Sequence, residues 1–163
     1  MTQSTHAGKR RFLKQGLAAS ALIGAGVPAR AADFTMKIGF ATLNDIQHQW
    51  GTWMKEALEA GSKGRIAVNL FPRNQLGTIA SQIEGLQLGT VEAAIVSTGA
   101  LSNFVPDVGV VDIPFLFRDT QHARAVMDGA FGQDLLAKFQ KRGLIALAWV
   151  EQGFRHLSNN KHA

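Results

Sequence analysis

The sequence predicts an α/β layer built on a mostly parallel sheet. Two observations carry this. Apolar, β-rich runs alternate with segments of helical spacing from residue 33 onward. One of those runs, residues 91–97, is apolar at nearly every position, the pattern of a strand buried on both faces.

Residues 35–42 form the first run and read as a strand. Residues 46–62 read as a helix, because Ile46, Trp50, Trp53, Met54, Ala57 and Leu58 recur at helical spacing and make one apolar face. Asp45 is placed to cap this helix and Gly61 to end it. In residues 65–71, Ile66, Val68 and Leu70 alternate at the period of a strand, which Pro72 closes. A second helix covers residues 79–88 and stops at Gly89. After the strand at 91–97, Thr98-Gly99 breaks the pattern and a short helix or turn follows. Residues 107–117 are apolar and irregular, restricted by Pro106 and Pro114. Asp119 caps a third helix that runs to Met127. A fourth spans residues 132–142, with Lys141 and Arg142 in its last turn and Gly143 beyond it. Residues 144–150 then read as a further apolar strand. In such sheets ligands bind beyond the carboxyl ends of the strands. The tips concerned are residues 42–48, 71–75, 97–100 and 151–155.

Charge divides the chain in two. No Asp or Glu precedes Asp33, whereas Lys9, Arg10, Arg11, Lys14 and Arg30 do. The rest carries twelve acidic and twelve basic side chains, so the formal net charge of +5 belongs to the first 31 residues. This removes the basic surface that a nucleic acid or an anionic membrane would need, and no nucleic-acid partner is expected. The first 31 residues have the parts of an export leader. Residues 9–14 are basic, 16–27 apolar, and Ala29 and Ala31 put small residues before a cleavage point after Ala31. The apolar part is shorter than the ~20 residues of a transmembrane helix. Lys9-Arg10-Arg11-Phe12-Leu13-Lys14 resembles the twin-arginine export motif, with Lys9 at the first Arg position and Arg11 at the variable one. An ordinary secretory leader is also basic, so the export route stays open. The chain has no cysteine, which excludes disulfides, thiolate metal sites and a lipid-anchored Cys. The roughly 130 residues after the leader make one domain.

No catalytic constellation is present. The sequence has no P-loop, no Gly-x-Gly-x-x-Gly, no His-Glu-x-x-His and no Gly-x-Ser-x-Gly. His48, His122, His156 and His162 lack metal-ligand spacing, and His122 reads as a solvated surface residue. Glu56 and Glu59 read as an exposed helix face beside Lys55 and Lys63. Trp50 and Trp53 can stack on a ligand, but a pair at this spacing belongs more often to a core. Arg155 follows an apolar run and a Gly, where its planar fork can meet a carboxylate. From the chain alone a loop Arg in solvent, or bonded to a carbonyl, is the favoured alternative. Ser97-Thr98-Gly99 offers two hydroxyls and backbone N–H groups at another tip, which suit an anion or an ordinary helix cap.

Several segments taken together resemble one family. They are Met36-Lys37-Ile38-Gly39-Phe40-Ala41, Gly64-Arg65-Ile66, Phe71-Pro72-Arg73-Asn74-Gln75-Leu76-Gly77 and Leu88-Gly89-Thr90-Val91-Glu92. Further along are Ser97-Thr98-Gly99-Ala100-Leu101, Asp112-Ile113-Pro114-Phe115-Leu116-Phe117-Arg118 and Gly153-Phe154-Arg155-His156-Leu157-Ser158-Asn159. They resemble the N-terminal half of the solute-binding proteins of tripartite ATP-independent periplasmic (TRAP) transporters, the DctP type. The resemblance implies a periplasmic-binding-protein-like lobe, the first of a two-lobed fold, spanning residues 32–163. It implies capture of an organic acid carboxylate in the cleft and delivery to TRAP membrane permease subunits driven by an ion gradient. It implies no enzyme activity, no cofactor, no metal and a monomer in the periplasm. In this family a second Arg near the solute matches Arg155, and the polar residue at the third strand tip matches Ser97, with Thr98 beside it. The loop after the first strand lines the cleft, and Asn44 is nominated from it. Asn159 matches a family Asn of the crossover region, with a structural role equally open. The family's main carboxylate-binding Arg is expected beyond Ala163, so this chain by itself is expected to bind weakly or not at all. The alternatives are the solute-binding protein of an ATP-driven importer, an extracytoplasmic sensor module, or an enzyme on a similar layer.

Overall fold

A computed structural model describes residues 31–154, 158, 160 and 161. Three parallel strands form the sheet in the order β2-β1-β3. These are β1 (Phe34–Phe40), β2 (Ile66–Phe71) and β3 (Ala93–Ile95). The helices are α1 (Ile46–Gly61), α2 (Ile79–Leu88), α3 (Thr98–Leu101), α4 (Thr120–Met127) and α5 (Ala130–Lys138). Two 3-10 segments, Pro106–Asp112 and Phe139–Arg142, complete the chain's regular structure among the described residues. The predicted parallel α/β layer is therefore present.

Its core lies on both faces of the sheet. Met36, Ile38 and Phe40 alternate to one face of β1, where Val68, Met54 and Leu58 join them. The opposite face receives α2, whose Ile83 packs with Val105, Val108, Phe139 and Leu144. Gly39 is the point of closest approach. A Cβ there would stand 2.2 Å from the Gln82 side-chain oxygen, so only a glycine lets α2 come down onto β1.

The caps explain where helices begin. Asp45 accepts the His48 N–H at 3.3 Å, and Asp119 accepts the His122 N–H at 2.7 Å. Each His returns the favour through Nδ1, His48 to the Asn44 N–H and His122 to the Arg118 N–H. Each is a variant of the capping box, in which the third-position His takes the N–H of the residue before the cap and not that of the cap itself. His122 is thus a half-buried cap partner, edge-on to Phe117, and not the solvated residue expected. Gly89 and Gly143, both left-handed, end α2 and the second 3-10 segment.

Three expectations need correction. The buried stripe of α1 runs through Gln47, Gly51, Met54 and Leu58, because Gly51 lets the helix settle against Phe40 and Leu70. The stripe is rotated from the predicted face, and Trp53 is left 51% exposed, edge-on to Trp50. α5 starts at Ala130, earlier than residue 132, and its last predicted turn tightens into the 3-10 segment. Residues 144–150 form no strand. Leu144, Ala146 and Trp149 do turn inward, and Trp149 Nε1 donates to the Gly132 carbonyl at 3.0 Å. Ile145, Leu147 and Val150 face out. Period-two alternation holds only over residues 144–147 and breaks at the exposed Ala148, and a strand also needs a ladder partner. β3 offers only three residues, all paired to β1.

The β2 edge is closed by side chains. Val68 gives its N–H to Glu59 Oε1 at 3.0 Å and its carbonyl accepts Lys55 Nζ at 2.7 Å. That bond to the Val68 N–H, with Lys55 beside it, holds the Glu59 carboxyl below its ordinary value of 4.5. The Thr42 hydroxyl, then the His48 and Gln47 N–H groups, hold Asp45 below 3.8. The Lys138 ammonium, bonded at 2.9 Å, does the same for Asp107.

Two outcomes follow for measurement. Gly39→Ala should cost about 1–3 kcal/mol in urea unfolding, since Gln82 is buried and has nowhere to go. A cost below roughly 0.5 kcal/mol would mean that Gln82 swings aside. All three carboxyl groups have depressed folded values, so the stability they supply is complete above their ordinary values of 3.8 to 4.5 and fades as pH falls through the lower folded ones. The urea midpoint should hold steady down to those ordinary values and then drop, and Glu59→Gln should make that drop shallower.

Candidate functional site

Because the strands are parallel, their carboxyl ends share one edge. Phe40 registers with Ile95, and Gly39 with Phe71. The loops that follow leave the sheet side by side. In the first, Asn44 is exposed and left-handed, φ 60°, with its N–H held by His48 Nδ1 at 3.2 Å. The Thr42 hydroxyl lies 2.9 Å from Gln47 Oε1, a buried side chain at the start of α1.

The second loop is the most constrained. Arg73 and Asn74 are both left-handed, at φ 54° and 55°. The Asn74 N–H donates to the Phe40 carbonyl at 3.1 Å, which ties the loop to the end of β1. Gln82, 1% exposed, reaches back from α2. Its Nε2 donates to the Gly77 carbonyl at 2.9 Å and to Asn74 Oδ1 at 3.3 Å. Neither Gln82 nor Asn74 was nominated from the sequence. A signal existed for Gln82, since a polar residue stands inside the apolar stripe Ile79, Ile83, Leu86.

In the third loop Ser97 is half-buried at the cap position of α3 and makes no side-chain cap bond. Thr98 gives its hydroxyl hydrogen to Asp112 Oδ1 at 2.6 Å. A carboxylate therefore sits against the nominated anion donors, and α3, a single turn, adds little dipole. Arg155 and Asn159 lie outside the described residues. At the fourth tip, Glu151 pairs with Arg124 of α4 at 2.6 Å.

A groove of about 600 Å³ runs between the second loop and α3. Asn74, Thr78, Ile79, Ala100, Asn103 and Phe104 line it. Its size is that of a small-molecule site. Asn44, Ser97 and Thr98 are not among its lining residues. No group of His, Asp or Glu able to hold a metal is found among the described residues.

A parallel sheet with helices on both faces and ligand-sized space at the strand tips is the architecture of an α/β ligand-binding layer. The relatives make the class specific. Residues 39–163 match DctP, the bacterial extracellular solute-binding protein family 7, and the chain belongs to that family. A solute-binding protein of Verminephrobacter eiseniae is 46% identical over 82% of this chain and 40% of its own length. The crystal structure of a TRAP periplasmic solute-binding protein from Polaromonas, bound to D-erythronate, is 49% identical. It covers 79% of this chain and 43% of its own, with a TM-score of 0.73. A Bordetella counterpart, with density assigned to pantoate, is 52% identical over 78% of this chain and 42% of its own, also at 0.73. The chain thus spans less than half the length of the relatives it matches.

Gln82→Met keeps the volume and removes both amide donors. It should cost about 1–3 kcal/mol and speed hydrogen exchange at Asn74 and Gly77. Unchanged exchange in this loop would show that Gln82 does not hold it.

Proposed function

We propose that this chain contributes the first lobe of an extracytoplasmic solute-binding protein that captures an organic acid and delivers it to an ion-gradient-driven membrane permease. Residues 1–31 act as an export leader and residues 32–163 as the lobe. The observation that carries this reading is the family match over residues 39–163, on a sheet whose strand tips share one edge. Relatives bound to D-erythronate and assigned pantoate support an acid as the solute. The family's extracellular description, and its periplasmic relative DctP of Rhodobacter capsulatus, support export. Among the described residues no helix is long and apolar enough to cross a membrane. The protein works by binding and release, as a monomer, and catalyses nothing.

In this reading Arg155 stands near the carboxylate as this lobe's own cation, while Ser97, Thr98 and Asn44 border it. The lobe supplies one wall of the cleft. A small solute needs most of its surface buried, so the lobe by itself binds only weakly. Calorimetry against organic acids and their neutral analogues tests both statements. Heats should come from the acids alone, with no micromolar affinity, and Arg155→Gln should weaken them. Micromolar binding would overturn the need for a second wall, and equal heats from neutral analogues would overturn carboxylate recognition. N-terminal sequencing of the exported product should find Ala32 first. A membrane-bound product retaining residues 1–31 would mean an anchored receptor.

A further inference from the structure

The groove beside the second loop has a chemistry of its own. Its polar groups are the amides of Asn74 and Asn103 and the hydroxyl of Thr78. None of its lining residues carries a charge. Arg73, the cation nearest in sequence, is not one of them. Asp112, the ionisable group bonded at the start of the neighbouring one-turn helix, is acidic. Ile79, Ala100 and Phe104 supply the apolar remainder.

A second carboxylate in this groove would meet no cation among the lining residues, and Asp112 stands bonded at the start of α3. A hydroxyl, which both donates and accepts, suits amides and a threonine better. The Asn103 amide has no hydrogen-bond partner among the described residues, so both of its functions are open to a ligand. Asn74 is pinned at two points, by its N–H to Phe40 and by its Oδ1 to Gln82. Thr78 is fixed as the cap of α2, accepting the Ser81 N–H at 3.2 Å.

We infer that this groove, lined by Asn74, Thr78 and Asn103, receives the hydroxylated end of a monocarboxylic acid and discriminates against dicarboxylic acids. The inference deepens the proposed function and rests on it, since the single carboxylate is placed beside Arg155, away from this groove.

A matched pair of four-carbon acids tests it. D-erythronate has one carboxylate and three hydroxyls, and succinate has two carboxylates and none. The 15N-labelled 163-residue chain is titrated with each into the tens of millimolar, a range in which NMR reads weak binding. Erythronate should shift the side-chain amides of Asn74 and Asn103 and the backbone of Thr78, with succinate shifting them much less. Asn103→Lys, an exposed substitution, should raise the affinity for succinate relative to erythronate by about threefold, the usual scale of a surface ion pair. Equal or larger shifts from succinate in the unsubstituted chain would overturn this inference alone, leaving carboxylate capture intact. Shifts from erythronate at other tips but none at Asn74, Thr78 and Asn103 would overturn it in the same way. No shift from either acid anywhere would overturn the proposed function and this inference with it.

Discussion

Gln82 resting on the bare backbone of Gly39 is the contact that the tip of this lobe is organised around. The amide is buried, so each of its polar atoms needs a partner. It finds two in the loop after β2, at the Gly77 carbonyl and at Asn74 Oδ1. Asn74 in turn binds the last carbonyl of β1. The result is a closed circuit from β1 through the loop to α2 and back to β1. Two adjacent left-handed residues, Arg73 and Asn74, each cost roughly 1–2 kcal/mol of backbone strain, and this circuit holds them in place.

Much of this was legible in the chain. Period-two alternation in residues 66–70 located β2, and the 79–88 periodicity located α2 to the residue. Asp45 and Asp119 announced two helix starts because a cap is a local device that needs no tertiary information. What failed depended on neighbours. The buried face of α1 was chosen by hydrophobicity, yet the stripe is set by the small size of Gly51 against Phe40. The strand at 144–150 has the right pattern but lacks a ladder, and a partner cannot be read from the segment itself. At the site, Asn44, Ser97 and Thr98 lie at the expected strand tips. The groove-lining Asn74 and Asn103 were not nominated, because an amide in a loop carries no spacing signal.

The sheet treats its two edges in different ways. At β2, Lys55 and Glu59 from α1 occupy the N–H and carbonyl of Val68, so the edge is spoken for by the lobe's own side chains. At β3 the strand is three residues long, and the later segment 144–150, which pairs with no strand, carries apolar residues on both sides. Ile145 and Leu147 are more than two-thirds exposed, at 79% and 71%. Apolar residues on both sides of a strand-like segment belong to a fold in which both sides are covered. The matched part of this chain spans less than half the length of these relatives, which accords with that pattern.

The two histidine capping boxes hold more than helix ends. His48 accepts the Asn44 N–H through Nδ1. While the bond stands, Asn44 is fixed in a left-handed conformation before any solute arrives. Its backbone entropy is lost on folding and not on encounter, so a solute reaching this tip meets a wall already set. The same grip by His122 on Arg118 fixes the approach to α4, whose Arg124 bonds Glu151 after the last apolar run. Rigidity at the rim is thus written into helix starts, at a distance of three residues in sequence from each acid that begins them.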